Sequence, residues 1–286
     1  MYAEIHVFCV FRRKEYTMNR LEGIGTLDRE RLSTVLRASN GSVSVGQAAK
    51  ALNVSRTDAA KMLSRWCRKG WLSRIKRGLY VPVPLESRSV DIPLEDPWII
   101  AEKLYSPCYI GGWSAAEYWD LTEQIFRTTI VITEQKPRDR NPILMGAQYK
   151  LKTIEKKKVF GLKTVWRGQV KVMVSDPSRT ILDMLSDPKL GGGIRSVEDM
   201  LKNYLRSEVS DLNLLVEYAR NLGNGAVLKR LGFLLERNAP TEKNIIKKCL
   251  TDLTQGNVKL DTSLKSDRLI TRWKLWIPES WKTEGM

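Results

Sequence analysis

Between Ser44 and Val83 the apolar positions change period, from helical to alternating. Val45, Ala48, Ala49 and Leu52 recur on one helical face. Ala59, Met62, Leu63 and Trp66 repeat that pattern at i, i+3, i+4 and i+7. Ser44 and Ser55 each stand where a hydroxyl accepts an orphan backbone N–H, and Asp58 favours the first turn of the second helix. Asn53 tolerates left-handed backbone and so suits the tight turn between the helices, with Val54 as an apolar plug. Lys69-Gly70 ends the second helix, because glycine readily takes the position after a helix. Trp71 to Ile75 and Gly78 to Val81 then alternate as two short strands, with Lys76-Arg77-Gly78 at their tip. A preceding helix is expected over Leu27–Ala38, its stripe formed by Leu27, Arg31, Leu32, Val35 and Leu36. Asn40-Gly41 is a turn. Three helices followed by a hairpin make a winged helix-turn-helix over residues 25–84.

The outer surface of that head has the chemistry of a DNA reader. At about 100° per residue, Thr57, Lys61, Ser64 and Arg68 fall opposite the apolar stripe of the second helix, flanked by Arg56 and Arg65. Phosphates are met by cations, and base edges by short hydroxyls and forked guanidinium groups. The DNA-binding set expected is Ser44, Gln47, Ser55, Arg56, Thr57, Lys61, Ser64, Arg65, Arg68, Arg74, Lys76 and Arg77. A basic outer face is also what a merely solvated helix shows. The agreement of cap, turn, stripe and basic hairpin favours the DNA reading.

Past the head, residues 82–97 hold four prolines among Ser and acidic residues and read as a linker, so the larger domain is placed at 85–286. Asp96 caps a helix with Pro97 at its first position. Tyr109 to Trp113 contains Gly111-Gly112, which permits close backbone approach. Ser114 is read as the cap of a short helix, with Glu117 completing a capping box. Strands are expected over Thr128–Thr133, Gln148–Ile154, Val159–Trp166 and Val170–Val174. Their separations are too short for helical crossovers, so the sheet is antiparallel or mixed. Helices follow over Pro177–Ser186, Val197–Arg206, Asp211–Leu222, Ala226–Glu236 and Glu242–Leu250, and Leu269–Trp276 is a terminal strand or packed arm. The fold class is therefore α+β, a winged helix before a sheet and a helical bundle. Residues 1–24 fit poorly with the rest of the chain. Met18 is an alternative start, and a short basic arm is the other reading.

Charge sharpens this division. The chain of 286 residues has a formal charge of +16. Residues 1–84 hold 16 Lys/Arg against 6 Asp/Glu, a surplus of +10, and the remainder carries the other +6. Cationic density thus gathers at the head and points to a polyanionic partner. Cys9, Cys67, Cys108 and Cys249 are far apart, which argues against zinc or a disulfide framework and suits a reducing cytoplasm. His6 is the single histidine and lies in the N-terminal segment that fits poorly with the rest, which argues against Ser-His-Asp and Cys-His catalysis. No membrane-length apolar run is present. No metal, cofactor or catalytic residue is expected.

Other motifs admit two readings each. Asp176-Pro177 opens a helix as a cap, and Arg179 with Asp183 reads as a surface i, i+4 pair. A catalytic role for these three would need a partner base or metal. Gly191-Gly192-Gly193 precedes a helix and is either a flexible loop or, less simply, a phosphate cradle. Lys156-Lys157-Lys158 and Arg138-Asp139-Arg140 are solvated charge or auxiliary phosphate contacts. Trp98, Trp113 and Trp119 are expected to pack against one another, and Trp66 in the core.

In the larger domain, Tyr109 to Trp119 with Leu121-Thr122-Glu123-Gln124 resembles the abortive-infection AbiEi family of type IV antitoxins. So do Val174 to Asp183, Arg230 to Glu236, and Leu260-Asp261 through Arg272-Trp273, in the family's order. The resemblance spans about residues 27–277. It implies a protein that represses its own operon at promoter inverted repeats in double-stranded DNA. It also implies one that counters a nucleotidyltransferase-like toxin without a stable complex. Tyr109, Trp113, Asp176, Arg179, Asp183 and Arg230 become the antitoxin-domain candidates. The N-terminal segment and the end at Ile277–Ser280 depart from the family pattern. The alternatives are a ligand-sensing winged-helix transcription factor and a DNA-targeted enzyme that modifies the toxin.

Overall fold

A computed structural model describes residues 23–39, 42–83, 96–168 and 170–281, with Lys76 described by its backbone alone. The readings made for residues 1–22 and most of the proline-rich stretch lie outside those residues. The chain divides into two compact units, Met1–Leu94 and Glu95–Met286.

The first unit contains α1 (Thr26–Arg37), β1 (Val43–Ser44), α2 (Val45–Leu52), α3 (Arg56–Arg68), β2 (Leu72–Lys76) and β3 (Leu79–Pro82). Ser44 caps α2 in a full capping box: its hydroxyl accepts from the Gln47 N–H, and the Gln47 side chain accepts from the Ser44 N–H. Asn53 takes the left-handed turn expected of it, at φ 51°. The core is Val35, Val43, Ala59, Leu63, Trp66 and Leu72. Two assignments change. Leu27 is 60% exposed and Val54 37% exposed, so neither belongs to the apolar stripe or plugs the helix pair. Val43 fills the core instead, because β1 adds to β3 and the wing becomes a three-stranded sheet of order β1-β3-β2. A two-residue strand gives too short an alternation to be legible in sequence.

The second unit is built on a six-stranded sheet. Its strands are β4 (Cys108–Ile110), β5 (Thr128–Thr133), β6 (Ile143–Leu144), β7 (Ala147–Thr153), β8 (Leu162–Arg167) and β9 (Val170–Ser175), in the order β6-β7-β5-β4-β9-β8. β5 with β7 and β4 with β9 run parallel, and the remaining pairs antiparallel. The sheet is therefore mixed. One face is covered by α4 (Pro97–Tyr105), to which Thr133 and Tyr149 hydrogen-bond through the carbonyls of Tyr105 and Pro97. The other face meets α5 (Gly112–Tyr118) and a bundle formed by α6 (Pro177–Ser186), α7 (Ile194–Arg206), α8 (Leu212–Leu222), α9 (Gly225–Asn238) and α10 (Lys243–Thr251). A small sheet, β10 (Val258–Lys259), β11 (Arg268–Ile270) and β12 (Leu275–Ile277), closes the unit.

α6 is the hub of this unit, since every residue from Pro177 to Leu185 is buried. Its neighbours approach it through small residues. Gly112 has φ +54° and an added Cβ would lie 2.5 Å from the Leu190 carbonyl oxygen, which explains the close approach read from Gly111-Gly112. That geometry also removes Ser114 as a cap: Gly111 caps α5, while Ser114 is buried and accepts the Ile130 N–H at 3.0 Å. The Gly191–Gly193 stretch is a packed turn and not a loose loop, and the N-terminal Ile194 N–H of α7 is taken by the Asp261 carboxylate at 2.9 Å. A helix terminus already holding a carboxylate has no place for phosphate there. Gly232 sits against the buried Trp273 indole, where a Cβ would overlap the ring.

Gly232→Ala should therefore destabilise the protein by about 1–3 kcal/mol through overpacking, despite alanine's better helix propensity. Urea unfolding checks this, and an unchanged or raised midpoint contradicts it.

Candidate nucleic-acid interface

α3 carries the outward face that the helical spacing of its apolar residues implies. Ala59, Leu63 and Trp66 are fully buried, while Arg56, Thr57, Lys61, Ser64, Arg65 and Arg68 are exposed. Ser55 caps the helix through the Asp58 N–H at 3.0 Å and donates to the Asp58 carboxylate at 2.7 Å. Lys61 lies 3.8 Å from Asp58, a solvated pair that leaves its ammonium open to other anions. The Arg56 guanidinium reaches back over Gly46, at the start of α2, where a larger side chain would meet it. Arg77 is exposed in the turn after β2, Arg74 is exposed on that strand, and Gly78 has the positive φ, +82°, that the turn requires. Lys76 closes β2, and its side chain lies outside the described residues. The Val45 N–H donates to the Gly78 carbonyl at 3.2 Å, tying the wing to the start of α2.

Besides Ser55, three of the expected contacts have internal duties. Ser44 and Gln47 satisfy each other in the capping box. Arg65 donates to Asp28 at 2.9 Å, and the Trp66 indole N–H donates to the same oxygen at 3.1 Å. This clamp binds α1 to α3, 37 residues away in the chain, a separation that no local pattern reveals. Burial works against the Asp28 charge, but the Trp66 hydrogen bond and the Arg65 guanidinium outweigh it and hold the carboxyl below its ordinary value.

The candidates in the larger unit separate into a cluster and two outliers. Tyr109, Asp176, Arg179 and Asp183 come together under the sheet. Arg179 Nε donates to Asp183 at 2.9 Å and Nη2 to the Tyr109 hydroxyl at 3.0 Å, while Tyr109 donates to Asp183 at 3.1 Å. Asp176 caps α6 through the Arg179 N–H at 2.7 Å and accepts from Tyr218 at 3.1 Å. The Arg179 guanidinium lies 4.4 Å from the Phe160 ring centroid. Sequence spacing places the Arg179–Asp183 pair at the surface. It is instead buried, at 0% and 6% side-chain exposure, because the α6 face that carries it is enclosed by the sheet and by Phe160. Burial pushes the Tyr109 phenol well above its usual range, so it stays a proton donor. Burial also opposes the Arg179 charge, but Asp183 outweighs it and holds the guanidinium above its ordinary value.

This cluster spends its donors and acceptors on itself, so its chemistry is that of an orienting network. Arg230 is also buried and ties the Leu185 carbonyl at the end of α6 to the Lys259 carbonyl of β10, each at 2.7 Å. Trp113 donates to the Thr128 carbonyl at 2.6 Å and stacks on Phe126 at 4.7 Å. It does not join the other two tryptophans, which are linked through Tyr118. Among the described residues no group of His, Cys, Asp and Glu is arranged to hold a metal ion, and no helix is long and apolar enough to cross a membrane.

Residues 30–83 match the family described as transcriptional regulator, AbiEi antitoxin. The match covers the winged helix. No curated protein matches the chain.

These networks set two expected outcomes. Asp183→Ala should cost about 3–5 kcal/mol in urea unfolding, because it strands a buried guanidinium. Arg179→Met/Asp183→Leu should recover most of that loss, and equal loss in both variants contradicts the assignment. The lowered Asp28 carboxyl stabilises the head above the ordinary carboxylate value, and this contribution fades as pH falls below about 4. Amide exchange in α1 and α3 of Asp28→Asn should therefore be faster than in the wild type at pH 7, with the gap closing at acid pH once intrinsic exchange rates are corrected.

Proposed function

From the match of residues 30–83 to the family described as transcriptional regulator, AbiEi antitoxin, we propose that this chain is a transcriptional repressor that reads its own promoter and serves as the antitoxin of a toxin–antitoxin pair. The observation that carries the reading is the outward face of α3, where Arg56, Thr57, Lys61, Ser64 and Arg68 are exposed around a helix locked to the core by Trp66. α3 enters the major groove, with Arg56, Thr57, Lys61 and Ser64 at base edges. Arg68, Arg74, Lys76 and Arg77 meet phosphate, while Ser44 and Gln47 cap α2, Ser55 caps α3, and Arg65 ties α3 to α1. The sites are inverted repeats in double-stranded promoter DNA.

The larger unit supplies the antitoxin activity against a nucleotidyltransferase-like toxin, without a stable complex and without catalysis of its own. Burial of Tyr109, Arg179, Asp183 and Arg230 supports a scaffold role for these motifs. In this reading, neutralisation works through the exposed surface that the scaffold presents.

A gel-shift titration on the chain's own promoter tests the reading. Four phosphate contacts give a slope of log K against log salt of about −4 for each bound copy. Arg56→Ala should cost about 1–3 kcal/mol at the cognate site and little elsewhere, whereas Arg77→Ala should weaken all sequences alike. Absence of promoter binding at moderate salt rules the reading out. Co-expression with the adjacent toxin gene, with and without residues 1–84, tests the antitoxin half by growth rescue.

A further inference from the structure

One segment of the larger unit is cationic throughout. Residues 156–175 hold six Lys/Arg and no Asp/Glu. The segment forms a 3₁₀ turn (Lys156–Lys158) followed by β8 and β9, and β8 lies at one end of the six-stranded sheet.

Aromatic rings are interleaved with those cations. Side chains alternate along β8. On one side, the Arg167 guanidinium lies 4.2 Å from the Trp98 ring centroid and the Lys163 ammonium 5.4 Å from that of Trp119, with Tyr118 joining the two rings. On the other side, Trp166 is 60% exposed, and its register partner Lys171 stands 5.1 Å from the ring. Of the acids nearby, Glu155 pairs with Lys157 and Lys158, Asp96 faces Arg167 at 3.4 Å, and Glu117 lines the same pocket as Arg167, on the side away from Trp166. No carboxylate among the described residues pairs with Lys163 or Lys171. An indole this exposed adds little to folding, and it sits among cations that an apolar protein partner would have to desolvate.

From this arrangement we infer that the β8–β9 hairpin binds an unpaired strand of nucleic acid. A base stacks on Trp166, and Lys171, on the same face of the sheet, meets an adjoining phosphate. Flat stacking on an indole needs a base face free of its neighbours, which a duplex does not offer; an unpaired strand does. This site is separate from the duplex-reading head and does not rest on the repressor reading.

The test uses the full chain with Arg56→Ala, Lys61→Ala and Arg68→Ala to silence the head. Fluorescence anisotropy compares a 12-nucleotide mixed-sequence RNA, the DNA of the same sequence, and the corresponding duplex in about 0.1 M salt. The unpaired strands should bind at least about tenfold more tightly than the duplex. The RNA and DNA arms show which sugar is preferred. Trp166→Ala should weaken binding by roughly 5- to 100-fold, Trp166→Phe should retain most of it, and Lys171→Glu should weaken it at least as much as Trp166→Ala. Equal binding to the duplex, no effect of Trp166→Ala, or no binding to either single strand overturns the inference. Because Trp166 is exposed, Trp166→Ala should keep the wild-type urea midpoint, and Trp166→Phe controls for any loss of fold.

Discussion

A charge placed on a wholly buried helix must be answered by groups brought from elsewhere in the chain, and α6 carries such a charge. Arg179 is enclosed, so Asp183 on the next turn, Tyr109 from β4 and the Phe160 carbonyl before β8 converge on it. Those partners fix how α6 sits against the sheet. The cost of stranding a buried ion makes the arrangement close to all-or-none. Arg230 repeats the logic at the other end of the helix, where a cation meets carbonyls that the last turn leaves unpaired.

The head uses the same device on a smaller scale. One carboxylate, Asp28, holds both Arg65 and Trp66. The indole contributes its ring to the core and its N–H to the clamp, so packing and orientation of α3 are set by the same residue. Exposed cations on the far side then remain free of structural duty, which is the condition for reading an external polyanion. Where cations do have structural partners, as with Arg65 and Arg179, their local spacing looks much like that of the free ones.

Much of this was legible from residue patterns. The caps at Ser44, Ser55, Asp96 and Asp176, the left-handed Asn53, and the bounds of β5 and α6 come from short-range chemistry and match the structure closely. The errors have a common origin. Val54 and Leu27 are apolar yet exposed, Val43 is a core residue on a two-residue strand, and Ser114 looks like a cap but lies inside its helix. In each case a neighbour distant in sequence decides the environment. The exposed Trp166 beside Lys171 is a register pair across a hairpin, and its chemistry becomes visible only once β8 is known to be an outer strand.

The sequence by itself determined the local elements, the mixed α+β class, the winged head and the face of α3 that points outward, because each rests on contacts within a few residues. Tertiary structure alone decided which charged pairs are buried, which carboxylate holds α3, and that Trp166 stands beside Lys171 on the outer hairpin of a sheet. These depend on residues tens of positions apart, whose meeting is set by how whole elements pack.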